Sequence, residues 1–147
     1  MKRLNSISIL FFTLLAASTT LARTHKLECK SEGPSALTFT ALIGSNQEVR
    51  MNFGAKGNGL TEQQLINTKT TLKPWDGFSG GAKYTGRAVV EFSYVRDLEL
   101  VIPRHALTDK SPRVRVMLSV SNEHAKYGEL SYFVEYGMTC IKKTSIF

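Results

Sequence analysis

Side chains that could perform hydrolysis stand next to one another once in this chain, in the run Ser121-Asn122-Glu123-His124. A hydroxyl, a carboxylate and an imidazole are the groups of a nucleophilic site, where the imidazole activates the hydroxyl. Consecutive residues of a turn rarely converge in the geometry that this activation requires. We therefore interpret the run as a turn, and the sequence predicts a protein that is not an enzyme.

Metal sites and phosphate-binding loops have characteristic spacings, and the sequence lacks them. His25, His105 and His124 lie near a terminus, shortly after a proline and in a turn, so no two of them form a His-x-His pair on a strand. The glycine-rich run 54–61 has no Gly-Lys-Ser/Thr ending, which a phosphate-binding loop needs. We predict no metal, cofactor or nucleotide site. The three aspartates are assigned to loops: Asp76, Asp97 and Asp109.

The two cysteines, Cys29 and Cys140, are predicted to form a disulfide. Two cysteines permit one intramolecular pairing, and each of these lies in phase with apolar neighbours, so both sulfur atoms should point inward. The bond would join the first element of the domain to the last. The chain has no Cys-x-x-Cys pair, and no basic neighbour is placed to activate one thiol, which argues against redox catalysis.

Residues 1–22 have the composition of a secretory signal. Lys2 and Arg3 precede an apolar stretch, and Thr20 and Ala22 supply small residues where a signal peptidase would cleave. The apolar stretch is short for a membrane span, although an uncleaved anchor is the alternative. We predict that the signal is removed and that residues 23–147 form a single soluble domain, exported to a periplasm or out of the cell.

The charge balance limits the class of partner. The full chain has 19 Lys and Arg against 12 Asp and Glu, a net charge of +7, and removing two basic residues with the signal leaves +5. Such a charge favours solubility and a weak attraction to anionic surfaces. It falls short of the composition of a nucleic-acid-binding domain, so we expect no nucleic-acid partner.

Apolar and polar residues alternate with a period of two through most of the remaining chain. This period predicts about eight strands, each with one row of side chains directed toward a core. The residues expected to face the core are Leu27, Cys29, Leu37, Phe39, Ala41, Ile43, Val49, Met51, Phe53, Ile66, Leu72, Tyr84, Gly86, Ala88, Val90, Phe92, Tyr94, Leu98, Leu100, Ile102, Val114, Val116, Leu118, Val120, Leu130, Tyr132, Val134, Tyr136, Met138 and Cys140.

Two segments interrupt this pattern. Residues 64–73 alternate weakly and are interpreted as an edge strand, or residues 60–66 form one helical turn with Thr61 as its cap. Farther along, the pair Arg96-Asp97 is expected to be a tight break between two strands. Ser119 is expected to face outward.

A closed antiparallel barrel is the fold that we predict. A meander whose first and last strands are joined by a disulfide has no free edge. A two-sheet sandwich is the alternative, because it accommodates the same strands and can also carry a disulfide. An eight-stranded barrel can be filled by side chains or can hold one small ligand.

Two surfaces are candidates for binding. The loop around Trp75, with Phe78 nearby, either caps the barrel and contacts a partner, or places Trp75 in the core. The second surface is basic, and its arginines either bind an anionic partner or only keep the sheet soluble. Its residues are Arg87, Arg104, Lys110, Arg113 and Arg115.

The sequence therefore supports two hypotheses about function. The first is an exported, non-enzymatic binding domain that holds a small apolar ligand or lipid in a barrel capped by the Trp75 loop. The second is a protein–protein interaction module, either a component of the cell envelope or an inhibitor of a secreted enzyme. A filled barrel would favour the second hypothesis.

Overall fold

The computed structural model describes residues 23–90, 95–122 and 132–146. The predicted signal and the turn that contains His124 lie outside these residues, as do three of the positions expected to face the core, Phe92, Tyr94 and Leu130. The elements within them are β1 (Arg23–Ser31), β2 (Thr38–Ile43), β3 (Val49–Phe53), α1 (Leu60–Leu65), β4 (Lys69–Pro74), β5 (Gly81–Val89), β6 (Val95–Pro103), β7 (Arg113–Ser121) and β8 (Phe133–Ile146).

The eight strands form a closed antiparallel barrel, and each strand pairs with its neighbours in the sequence. Closure occurs between β1 and β8, where Cys29 lies opposite Cys140 and the two are joined by a disulfide of 2.01 Å. The predicted barrel and disulfide are confirmed, and the sandwich is excluded. Each of the eight strands in the described ranges therefore has a neighbouring strand on both sides.

The interior of the barrel is filled with side chains. Burial alternates along β2 and β3, as the period of two predicts, and most inward residues on the other strands are buried as well. Four of the expected core positions are only partly buried: Ile66, Gly86, Tyr132 and Val134. Phe39 and Phe53 pack edge to face with 5.9 Å between ring centroids. Leu100, Leu118 and Met138 have no exposed surface. Burial of this row of apolar groups is the main force that holds the strands in register.

The barrel has two different ends. At the helix end, the segment 54–68 connects β3 to β4 and carries α1, whose Leu65 is fully buried against the core. At the loop end lie the connections 44–48, 75–80 and 104–112, together with the start of β1. No helix in the described part of the chain is long and apolar enough to cross a membrane.

The structure corrects the interpretation of Arg96 and Asp97. Both residues lie inside β6, which begins at Val95, and Arg96 is only 2% exposed. Arg96 is in phase with Leu98 and Leu100, so the alternation continues through it without a break. Its guanidinium group is stabilised by hydrogen bonds to Gln64 Oε1 (2.9 Å) and to a backbone carbonyl (3.0 Å).

Two further expectations also change. The helical alternative for residues 60–66 is confirmed, but Gly59 rather than Thr61 is the residue that precedes the helix, and the strand begins only at Lys69. Ser119 is in the outward-facing register of β7, yet it is buried. Its cross-strand neighbours are the longer side chains of Glu99 and Glu135, and they leave a short hydroxymethyl group little access to water.

Candidate functional site

Trp75 lies outside the core, at the point where β4 runs into the loop 75–80. Its side chain is 48% exposed. Its backbone N–H donates to the carbonyl of Lys83 (2.8 Å), and Lys83 Nζ lies 4.6 Å from the centroid of the indole ring. The same ammonium group forms an ion pair with Glu99 (2.5 Å). Lys83 therefore holds the indole ring against the outer face of the barrel, where about half of the side chain is exposed to solvent.

Phe78 is the second exposed aromatic residue of this loop. Its ring lies against Gly80, since a Cβ at that glycine would come within 2.8 Å of the ring. Arg104 Nη2 donates a hydrogen bond to the carbonyl of Ser79, which ties the loop 75–80 to the connection 104–112. Two segments that are distant in the sequence thus form one surface.

Three of the five predicted basic residues belong to this surface. Arg104, Arg113 and Arg115 line one groove of about 430 Å³, and Gly80 of the aromatic loop lines the same groove. Arg113 and Arg115 face outward on β7, and the side chain of Arg115 is 83% exposed even though its Nε lies 3.2 Å from Glu32 Oε1. We call Trp75, Phe78, Arg104, Arg113 and Arg115 the loop-end surface.

The structure separates Arg87 from this group. Arg87 lies on β5 and forms an ion pair with Asp97 (Nε–Oδ1 3.1 Å), which in turn lies opposite Ser121 at the helix end of β7. Arg113 begins β7 at the other end. Lys110 is exposed in the connection 104–112, close to the loop-end surface in the sequence.

Lys142 orders the connection 104–112, and sequence analysis did not single it out. It lies near the end of β8, and its Nζ donates to the backbone carbonyls of Ala106 (2.8 Å), Leu107 (3.4 Å) and Asp109. A carbonyl cluster of this kind satisfies an ammonium group without a carboxylate. The connection that supplies Arg104 is therefore held in place by β8.

Glu28 is one carboxylate beside this region, and Asp109 is another, which lines the arginine groove itself. Glu28 is neutralised by two lysines. Glu28 on β1 lies 2.8 Å from Lys26 Nζ and 3.2 Å from Lys143 Nζ. Hydrogen bonds from these two lysines hold the pKa of Glu28 below its ordinary value. Glu28 shares a cross-strand row with Ile141 and Arg113, so the charges of this acid and its two lysines add to a net positive face.

A polar cluster beneath α1 was also missed by the sequence analysis. Arg96 contacts Gln64 and lies 5.4 Å from the ring centroid of Tyr132, while Glu62 accepts a hydrogen bond from Ser35 Oγ (3.2 Å). Burial first, and then Glu62, raises the pKa of the Tyr136 hydroxyl above its ordinary value. These groups are shielded and bonded to one another. The signal that could have located Arg96 is its phase with the apolar residues of β6.

Histidine, cysteine and carboxylate side chains form no group that could hold a metal ion within the described ranges. No protein-family model, no curated protein and no solved structure matches this chain. The geometry of the loop-end surface is therefore the basis on which a function can be assigned.

Proposed function

We propose that the protein is an exported, non-enzymatic domain that binds an acidic protein through its loop-end surface. The observation that carries this proposal is the joining of two exposed features, the aromatic loop and the arginine cluster, by the hydrogen bond from Arg104 to Ser79 and by their shared groove. Export is supported by the predicted signal and by a disulfide, which persists in oxidising compartments.

The composition of the surface favours a protein partner. Arginine presents a planar fork of donors that matches a carboxylate, and Trp and Arg are the residues that most often dominate the energy of protein interfaces. Trp75 and Phe78 offer apolar area on the loop that Arg104 contacts through the carbonyl of Ser79. An acidic protein with an apolar patch satisfies both features, and the net positive charge would speed its approach.

The filled barrel also favours a surface role. Inward side chains from all eight strands are buried against one another, so a partner is accommodated on the outside more readily than within. The exposed position of Trp75 supports contact with another molecule better than a role in closing an internal pocket.

A charge-reversal experiment tests the proposal. The double variant Arg113→Glu/Arg115→Glu changes the loop-end surface, and Arg50→Glu/Lys69→Glu makes the same change of charge on the exposed outer faces of β3 and β4. Partners are cross-linked in the extracytoplasmic fraction, identified by mass spectrometry and purified for calorimetric titration at several salt concentrations.

We expect the loop-end variant to bind the purified partner at least about tenfold more weakly than wild type and with less dependence on salt, because charge pairs at an interface lose their attraction when reversed. The control variant should bind within about twofold of wild type. Equal weakening by both variants would show that the attraction is only long-range. Unchanged binding by the loop-end variant would overturn the proposal.

A further inference from the structure

Gly137 is a glycine that the backbone of the barrel does not require. It lies in the interior of β8 in the outward-facing register, opposite Met117 of β7. Its φ is not in the left-handed region, and a Cβ there would have no atom nearer than 3.6 Å, an ordinary contact with the carboxylate of Glu32. Glycine in a strand interior lowers stability and often marks a place where another molecule approaches closely.

The other strand glycines of the described chain have steric reasons. A Cβ at Gly81 would lie 2.2 Å from the carbonyl oxygen of Ile102, and one at Gly86 would lie 2.8 Å from the carbonyl oxygen of Thr71. Both contacts are with backbone, which cannot move aside cheaply. Gly137 differs because a Cβ there would make only an ordinary van der Waals contact, and that contact is with a side chain.

Gly137 lies on the floor of a mainly apolar groove. The outward residues Val101, Met117 and Gly137 form one cross-strand row over β6, β7 and β8. They line a groove of about 280 Å³ whose rim includes Pro103, Arg115 and Glu32. Met117 is 44% exposed although it is apolar. A side chain at position 137 would occupy the groove, so glycine keeps it accessible.

We propose that this groove receives an apolar side chain of the same acidic protein that binds the loop-end surface; this inference therefore rests on the proposed function. Continuity supports it, because Pro103 and Arg115 line both this groove and the arginine groove. Charge supports it as well: Arg115 pairs with Glu32 through Nε (3.2 Å), yet its side chain is 83% exposed and can present the guanidinium group to a carboxylate of the partner. The occupant is an extended acidic segment with an apolar residue between its carboxylates.

The experiment uses a phage-displayed library of randomised heptapeptides, selected on the disulfide-bonded mature domain. We expect the enriched peptides to be rich in Asp and Glu and to share one apolar residue at a constant position. Replacing that residue by Ser in a synthetic copy of an enriched peptide should weaken binding about tenfold, since a buried leucine-sized side chain contributes on this scale.

Two variants locate the apolar residue. In Gly137→Val, whose side chain fills the groove, selection should still enrich acidic peptides, but the apolar residue should no longer be favoured and its replacement by Ser should change affinity less than twofold. Gly137→Ala is the control for folding, and its melting temperature should equal or exceed that of wild type. If Gly137→Val does not fold, Met117→Glu tests the same groove, because Met117 is exposed.

The outcomes separate the two proposals. Acidic peptides without a shared apolar residue, or an apolar preference that persists in Gly137→Val, would overturn the proposal about the groove. The proposal of an acidic protein partner would be unaffected. Enrichment without acidic residues would overturn both. Binding to vesicles of phosphatidylglycerol and phosphatidylcholine, with no acidic peptide enriched, would also overturn both and would assign the surface to a membrane.

Discussion

The two ends of the barrel hold similar residue types in opposite environments. At the helix end, Arg96 and Tyr136 are buried beneath α1 and bonded to neighbouring side chains. At the loop end, Trp75 is half-exposed, and Arg113 and Arg115 are exposed. The loops there are held by hydrogen bonds from Arg104 and Lys142 to backbone carbonyls. Arginine and aromatic side chains thus serve internal cohesion at one end and are presented to solvent at the other.

This difference provides a physical criterion for separating side chains that stabilise the fold from side chains that are available for binding. A buried arginine must be hydrogen-bonded to be tolerated, so its partners explain its presence. An exposed arginine beside exposed aromatic rings has no such explanation from stability, since exposed ion pairs contribute little. The loop end is therefore where changes should affect binding more than folding.

The largest effect on stability should come from the disulfide, which joins β1 to β8 where the barrel closes and so should stabilise both ends. Cys29 and Cys140 are separated by 111 residues, and in the chain-entropy model a loop of this length accounts for about 5 kcal/mol. We expect reduction to lower the melting temperature markedly and to speed amide exchange at both ends. The double variant Cys29→Ala/Cys140→Ala, which should not respond to reductant, is the control. Faster amide exchange at only one end would contradict the claim that the disulfide stabilises both ends of the barrel.

The next effect contrasts the two ends directly. Leu65 of α1 is fully buried, so Leu65→Ala should lower the free energy of unfolding by about 3 kcal/mol through lost contacts and a cavity. Trp75→Ala removes a half-exposed ring and one cation–π contact, and it should cost about 0.5 kcal/mol. Denaturant titration of both variants measures these values. A large loss of unfolding free energy in Trp75→Ala would show that the ring acts as a core residue. The two ends would then not differ in the way described.

The smallest effect should appear in alkaline solution. Burial raises the pKa of Tyr136 and of Tyr84, and Glu62 adds to the shift at Tyr136. The unfolded chain loses these protons near the ordinary tyrosine pKa of about 10, whereas the folded chain keeps them. Stability is therefore complete below about pH 10 and falls as the pH rises from there toward the folded pKa values.

We expect Tyr136→Phe to reduce this alkaline loss more than Tyr84→Phe does. Melting temperatures measured from pH 8 to about pH 11 check the order of the two variants. An equal reduction of the alkaline loss by the two variants would show that Glu62 does not raise the pKa of Tyr136.

The fold could be predicted because its causes are local and periodic. The alternation that places Phe39 and Met51 inward, and the phase of Cys29 and Cys140 with their apolar neighbours, are properties of short stretches of sequence. The single disulfide pairing favoured a closed barrel, although a two-sheet sandwich can carry the same bond and was excluded only by the structure. The same rule also holds at Arg96, but it was not applied there. A charged residue in phase with leucines was interpreted by its type and not by its phase.

The loop-end surface could be predicted only in parts. Trp75 and Arg113 were each conspicuous in the sequence, but their common location depends on the topology of the barrel and on the bond from Arg104 to Ser79. Arg87 was grouped with Arg113 although the strand directions place it toward the opposite end. The groove beside Gly137 could not have been found, because an accessible glycine and a sterically required one are identical in sequence.

Site-specific photo-crosslinking in the producing cells tests the central claim most directly. A benzophenone amino acid replaces Phe78 at the loop end or, as the matched control, Leu60 at the helix end, where the native side chain is 74% exposed. We expect position 78 to yield a defined cross-linked species with an acidic protein and position 60 to yield none. A defined species from position 60, with none from position 78, would contradict the assignment of binding to the loop end.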